Sequence, residues 1–88
     1  MKCENCIKNE SEVDLKTAIR SLKFDARVCQ KCYSETELLV LVPNILRNRA
    51  LQLNLAYPVD EKTLEQKLAT SEAFEKALEN KKRQNGSH

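Results

Sequence analysis

The residues whose type and spacing could do chemistry are four cysteines in two Cys-x-x-Cys pairs. Cys3-Glu4-Asn5-Cys6 and Cys29-Gln30-Lys31-Cys32 hold all the cysteine in the chain. Two intervening residues let a tight turn aim both sulfurs at one point. The 22 residues between the pairs, 7–28, come close to the spacing of about 15–20 found where two such pairs share a zinc ion. Two turns then supply the four tetrahedral ligands that Zn²⁺ prefers, one ion per chain. A closed Cys₄ set keeps no coordination position for water or substrate, so the expected metal is structural rather than catalytic.

Other uses of four thiols fit less well. Paired disulfides suit small secreted proteins, but Met1-Lys2-Cys3 runs straight into the motif with no apolar leader before it. A dithiol redox site needs one Cys-x-x-Cys beside a βαβ unit, for which the chain is too short. Iron takes the same ligands. Rubredoxins, which bind it so, carry a glycine after each knuckle and several core aromatics, whereas Ile7 and Tyr33 stand there and the chain has two Phe, two Tyr and no Trp.

Catalytic alternatives are scarce. The single histidine and the single glycine both lie in Gly86-Ser87-His88, which resembles the start of an affinity tag and is set aside as residues 86–88. Cys-His and Ser-His-Asp catalysis are then unavailable, as is a glycine-rich phosphate loop. Carboxylates are scattered over helix surfaces. The expectation is a protein that is not an enzyme.

The chain has 88 residues, enough for one domain. At that length folding buries only about 60% of the unfolded surface, so a metal staple is a natural supplement. No apolar run approaches 18 residues, so no membrane span is expected. With 32% charged residues and reduced thiols, the expected location is cytoplasmic. The formal charge of +2 drops toward zero once four thiolates and one Zn²⁺ are counted together as −2. Bulk charge therefore does not argue for nucleic acid, and such contact would need a local patch.

The elements that must position the thiols follow from periodicity. Odd positions from Val13 to Ile19 alternate with polar partners, and Leu22, Phe24, Ala26 and Val28 share one face of a second strand, with Arg20-Ser21 as the turn. The outward face would collect Lys16, Lys23, Asp25 and Arg27, flanked by Arg20 and Lys31: a possible nucleic-acid patch that Arg47 extends. Ser34-Glu35-Thr36-Glu37 has the form of a capping box opening a helix.

A knuckle, a hairpin and a second Cys-x-x-Cys at a helix start resemble the treble-clef zinc fingers over residues 3–42. That resemblance implies Cys3 and Cys6 on a knuckle loop and Cys29 and Cys32 at the head of the helix. A zinc ribbon, with Leu38–Val42 as a third strand, is the alternative architecture.

Pro43 predicts a break at Val42-Pro43, with Asn44 capping a helix from Ile45 to about Ala56. Its Arg47, Asn48, Arg49, Gln52 and Asn54 are types that read bases or clamp phosphates. Tyr57-Pro58 ends it. Asp60 should cap a last helix from Glu61 to about Arg83, with Val59 stapled onto Leu64. Leu64, Leu68, Phe74 and Leu78 then form a thin apolar stripe that must lie against something, either the helix from Ile45 to about Ala56 or a second copy of the chain in a homodimer through helix 61–83. Lys81, Lys82 and Arg83 suit that helix's own negative end.

The expected molecule is thus a small α+β protein: a Cys₄ zinc finger over residues 1–42 and a helical extension over 43–85 packed as one domain with it. Its expected role is a regulatory or adaptor module for a protein partner. The alternative is a nucleic-acid-associated transcriptional regulator using the hairpin face and helix 45–56.

Overall fold

Alternation of apolar and polar residues over 13–28 folds as a hairpin. In the computed structural model, which describes residues 2–19 and 21–86, β1 (Val13–Ile19) pairs antiparallel with β2 (Leu22–Val28), Leu15 opposite Ala26. Phe24, Ala26 and Val28 point inward and are buried, as is Leu15. Ser21 takes the left-handed turn position, φ 69°, where Asn or Gly is commoner.

A two-stranded sheet leaves two open edges. The outer edge of β2 is closed by the chain itself. Asp25 N–H donates to Ala69 O at 3.1 Å, while Arg27 O accepts from Glu4 N–H at 2.9 Å. Arg27 N–H donates to the Glu4 carboxylate at 2.9 Å. One side chain of the first knuckle therefore continues the sheet's hydrogen bonding.

The helices differ from the sequence reading in three places. First, α1 (Gln30–Glu35) starts earlier than the Ser34–Glu37 box implies. Its N-cap is Cys29, whose Sγ accepts from Cys32 N–H at 3.4 Å. Ser34 lies inside α1 and bonds back to Gln30 O at 2.9 Å, because a serine hydroxyl in a helix reaches the preceding turn. Leu38–Val42 is helical, so the third strand of a zinc ribbon does not form.

Second, α2 (Leu38–Gln52) runs straight through Pro43, and the expected Asn44 cap and the 42/43 boundary lie inside it. Proline removes one hydrogen bond, to the carbonyl of Leu39, on the exposed face. Leu41, Val42, Ile45, Leu46 and Ala50 are buried on either side of it, and that burial outweighs the loss. The helix ends four residues before Ala56. Asn54 adopts φ 58°, Leu55 N–H bonds Ala50 O at 2.8 Å and Asn54 N–H bonds Leu51 O at 3.1 Å, a Schellman stop with asparagine in place of glycine.

Third, the predicted single helix over 61–83 is broken. Asp60 caps as expected, its carboxylate accepting from Thr63 N–H at 2.7 Å, but α3 (Glu61–Thr63) passes into a π-helical turn, Leu64–Leu68. Ala69 N–H reaches back five residues to Leu64 O at 2.7 Å. A new helix, α4 (Ser71–Gly86), begins beyond Thr70, whose hydroxyl accepts from Ala73 N–H at 3.1 Å. The break aims Leu68 and Phe74 into one core with Phe24, Leu41, Ile45 and Leu46. Its reward is apolar burial, about 25 cal/mol per Å² removed from water.

Candidate metal centre

The first knuckle is a loop closed at its base by an isolated antiparallel bridge between Lys2 and Glu10. Cys3 N–H donates to Asn9 O at 2.8 Å and Ile7 N–H to Cys3 O at 2.9 Å. Ile7 pays for that turn with φ 59°, a conformation that costs a β-branched residue most. The second pair stands at the head of α1, Cys29 as its cap and Cys32 in its first turn.

All four sulfurs of Cys3, Cys6, Cys29 and Cys32 lie within 4.8 Å of one another. A tetrahedron with Zn–S bonds of about 2.3 Å has S···S edges of about 3.8 Å, and Cys6 and Cys29 stand 3.9 Å apart. No disulfide links any of the four. Cys3, Cys29 and Cys32 are buried and Cys6 is half-buried. The donor set and its size fit a tetrahedral, thiophilic metal ion such as zinc.

The environment prepares the thiols unequally. Backbone N–H groups of Asn9 and then Lys8 aim at Cys6 and hold its pKa down to about 6. Cys29 is also lowered, first by Cys32 N–H and also by the Asn9 amide, 3.7 Å away. Burial pushes Cys32 up to about 12, so its proton leaves only when a cation replaces it.

Around the knuckle stands a polar network that the sequence reading did not anticipate. Arg49, expected as a base-reading residue, is wholly buried. Its Nε and Nη2 grip the two carboxylate oxygens of Glu4, each at 2.8 Å. Nη2 also reaches Asp25 O at 2.8 Å and Ser71 Oγ at 3.3 Å, and Nη1 donates to Leu68 O. The guanidinium lies 5.4 Å from the Phe24 ring centroid and 5.3 Å from that of Phe74. Asn48 donates to Glu4 O at 2.8 Å and Asn5 O at 3.2 Å. Neither Arg49 nor Asn48 is therefore free to read a base. The available signal was Arg49's place on the Val42, Ile45, Leu46 stripe, where a charge needs a buried partner.

The hairpin register puts Lys16, Lys23 and Arg27 on one outward face, with Asp14 and Asp25 among them. Lys16, Lys23, Arg27, Lys31 and Arg47 are exposed, while Arg20 lies outside the described residues, as do Ser87 and His88. Arg27 pairs with Asp14 at 3.3 Å, and Lys16 stands opposite Asp25. Lys81 does not serve its own helix end but donates to Gln52 O at 2.7 Å, at the end of α2. Of the two partners open to the stripe, the chain's own α2 takes it: Leu68 and Phe74 share one core with Ile45 and Leu46, with Leu64 and Leu78 packed against it. Comparisons with protein-family models, with curated proteins and with solved structures found no match, and no relative lends this centre a function.

Proposed function

We propose that the four cysteines hold one structural Zn²⁺ and that the chain is a non-enzymatic zinc-finger adaptor docking a protein partner. Cys29 capping α1, with Cys32 one turn on, supports a treble-clef-like finger. The observation that carries the docking role is the start of α2, where Leu38, Leu39 and Val40 are all exposed, Leu39 to 86%. Tyr33 on α1 is exposed as well. A helix that buries one stripe in its own core while its first three residues, all large and apolar, stay exposed is incompletely covered at that end.

Elemental analysis tests the metal: one zinc per chain is expected, lost when any of the four cysteines is changed to serine. Cross-linked capture from nuclease-treated host lysate tests the partner. Leu39→Glu with Val40→Glu should abolish capture while leaving the melting temperature unchanged, and an unaltered set of captured proteins would refute the docking face. Fluorescence anisotropy on labelled oligonucleotides tests the competing role. Sub-micromolar binding at about 150 mM salt with a steep salt slope, weakened by Lys23→Ala and Arg27→Ala, would make the hairpin a nucleic-acid surface instead.

A further inference from the structure

One guanidinium ties the first knuckle to the start of α4. Glu4 sits between Cys3 and Cys6, so its position depends on that loop being held in shape. Its carboxylate is paired with Arg49, and the same guanidinium holds Leu68 O and Ser71 Oγ and lies against Phe74, the segment from which α4 grows. Elsewhere the knuckle and α4 stand apart across a cleft of about 560 Å³ lined by Lys2, Ile7, Phe74, Glu75 and Leu78.

We propose that Glu4 and Arg49 form a latch through which metal occupancy of the cysteine site governs the docking of α4. Metal loss would then uncover the apolar surface around Leu68 and Phe74. The proposal rests on the metal reading above and adds regulation to it. With metal bound, Cys3 and Cys6 fix the loop and Glu4 neutralises a guanidinium that has no water around it. Without metal the loop keeps its backbone bonds and those to Arg27 and Asn48, but the Cys3–Cys6 turn is no longer pinned at its two sulfurs, and the Glu4 carboxylate loses its fixed place against Arg49. A buried cation left without its counter-ion is strongly unfavourable. Water reaches it at least structural cost where the chain is already discontinuous, at the π-turn and the Ala69-Thr70 break. Opening there releases α4 first.

Amide hydrogen exchange of the full chain, followed by mass spectrometry over 71–83, reads the latch with zinc bound and after a strong chelator. In the wild type, α4 exchange should accelerate about tenfold or more on zinc removal. The double variant Glu4→Gln/Arg49→Met replaces the ion pair by neutral groups. It should still bind one zinc while its α4 rate changes less than about twofold on chelation. Glu4→Gln alone covers the case in which the double variant does not fold: zinc is retained, but α4 exchanges faster than in the wild type even with metal present. Wild-type α4 indifferent to chelation, a double variant that responds as the wild type does, or Glu4→Gln with wild-type protection would each overturn the latch. Absence of zinc in the wild type by elemental analysis would instead refute the metal reading beneath it.

Discussion

Ile7 shows how a single position is set by the site rather than by its own preference. It holds φ 59° with a side chain that is 53% exposed, so it is strained and gains little from burial. Ile7→Gly should stabilise the metal-loaded protein by a net of about 0.5–1 kcal/mol, the left-handed penalty less glycine's extra unfolded-state entropy; a thermal melt measures it. Arg49 is the opposite case, a residue whose partners are all internal. Arg49→Ala should cost about 3–5 kcal/mol, because it strands the half-buried Glu4 carboxylate and empties the space between two phenyl rings. A shift of the urea midpoint at unchanged m-value is the readout.

The thiols allow a sharper count. Cys6, lowered from 9.0 to about 6, is already ionised at pH 7.5 and has no proton to give. Cys32, raised from 9.0 to about 12, must give one. Loading the four cysteines with zinc at pH 7.5 should therefore release at most three protons, measured with an indicator in weak buffer. In the metal-free chain, the depressed Cys6 favours folding above pH 9, and that contribution disappears as pH falls through about 6. Acid therefore acts against the metal-free fold and would also compete with any metal for the same sulfurs.

Among the elements, α2 tolerates a proline because both flanking turns are anchored in the core. Pro43→Ala restores an amide whose acceptor is the Leu39 carbonyl, and should stabilise by about 1–2 kcal/mol, less than the full interior penalty because proline also restricts the unfolded chain. The junction at Ala69-Thr70 depends on a conventional cap. Thr70→Ala should cost about 1 kcal/mol and loosen α4 selectively, seen as faster amide exchange over 71–83 with α2 unchanged.

For the whole molecule, the decisive fact is where the apolar stripe of the last helices went. Leu68 is fully buried in the chain's own core. Leu68→Glu should therefore unfold the protein, a loss of the melting transition rather than the dimer-to-monomer step that an exposed seam would give. Sedimentation of the wild type and of Leu39→Glu tells whether the start of α2, and not the old stripe, mediates any self-association. With Arg49 joining knuckle, hairpin and α4, metal removal should disturb more than the first third of the chain. Chelation is expected to lower helicity well beyond α1.

Local rules carried much of this structure. Cys-x-x-Cys spacing determined which four sulfurs cluster, because two residues between cysteines leave few ways to aim them. Period-two alternation determined the hairpin and its inward face, and Asp60 determined where α3 begins. Tertiary structure decided the rest. Pro43 reads as a break until burial on both sides outweighs one hydrogen bond, and helix 61–83 reads as continuous until Leu68 and Phe74 must reach the same core. Arg49 and Glu4, 45 positions apart, look like surface charges because nothing local records a pairing made only when the knuckle, β2 and α4 come together around one guanidinium.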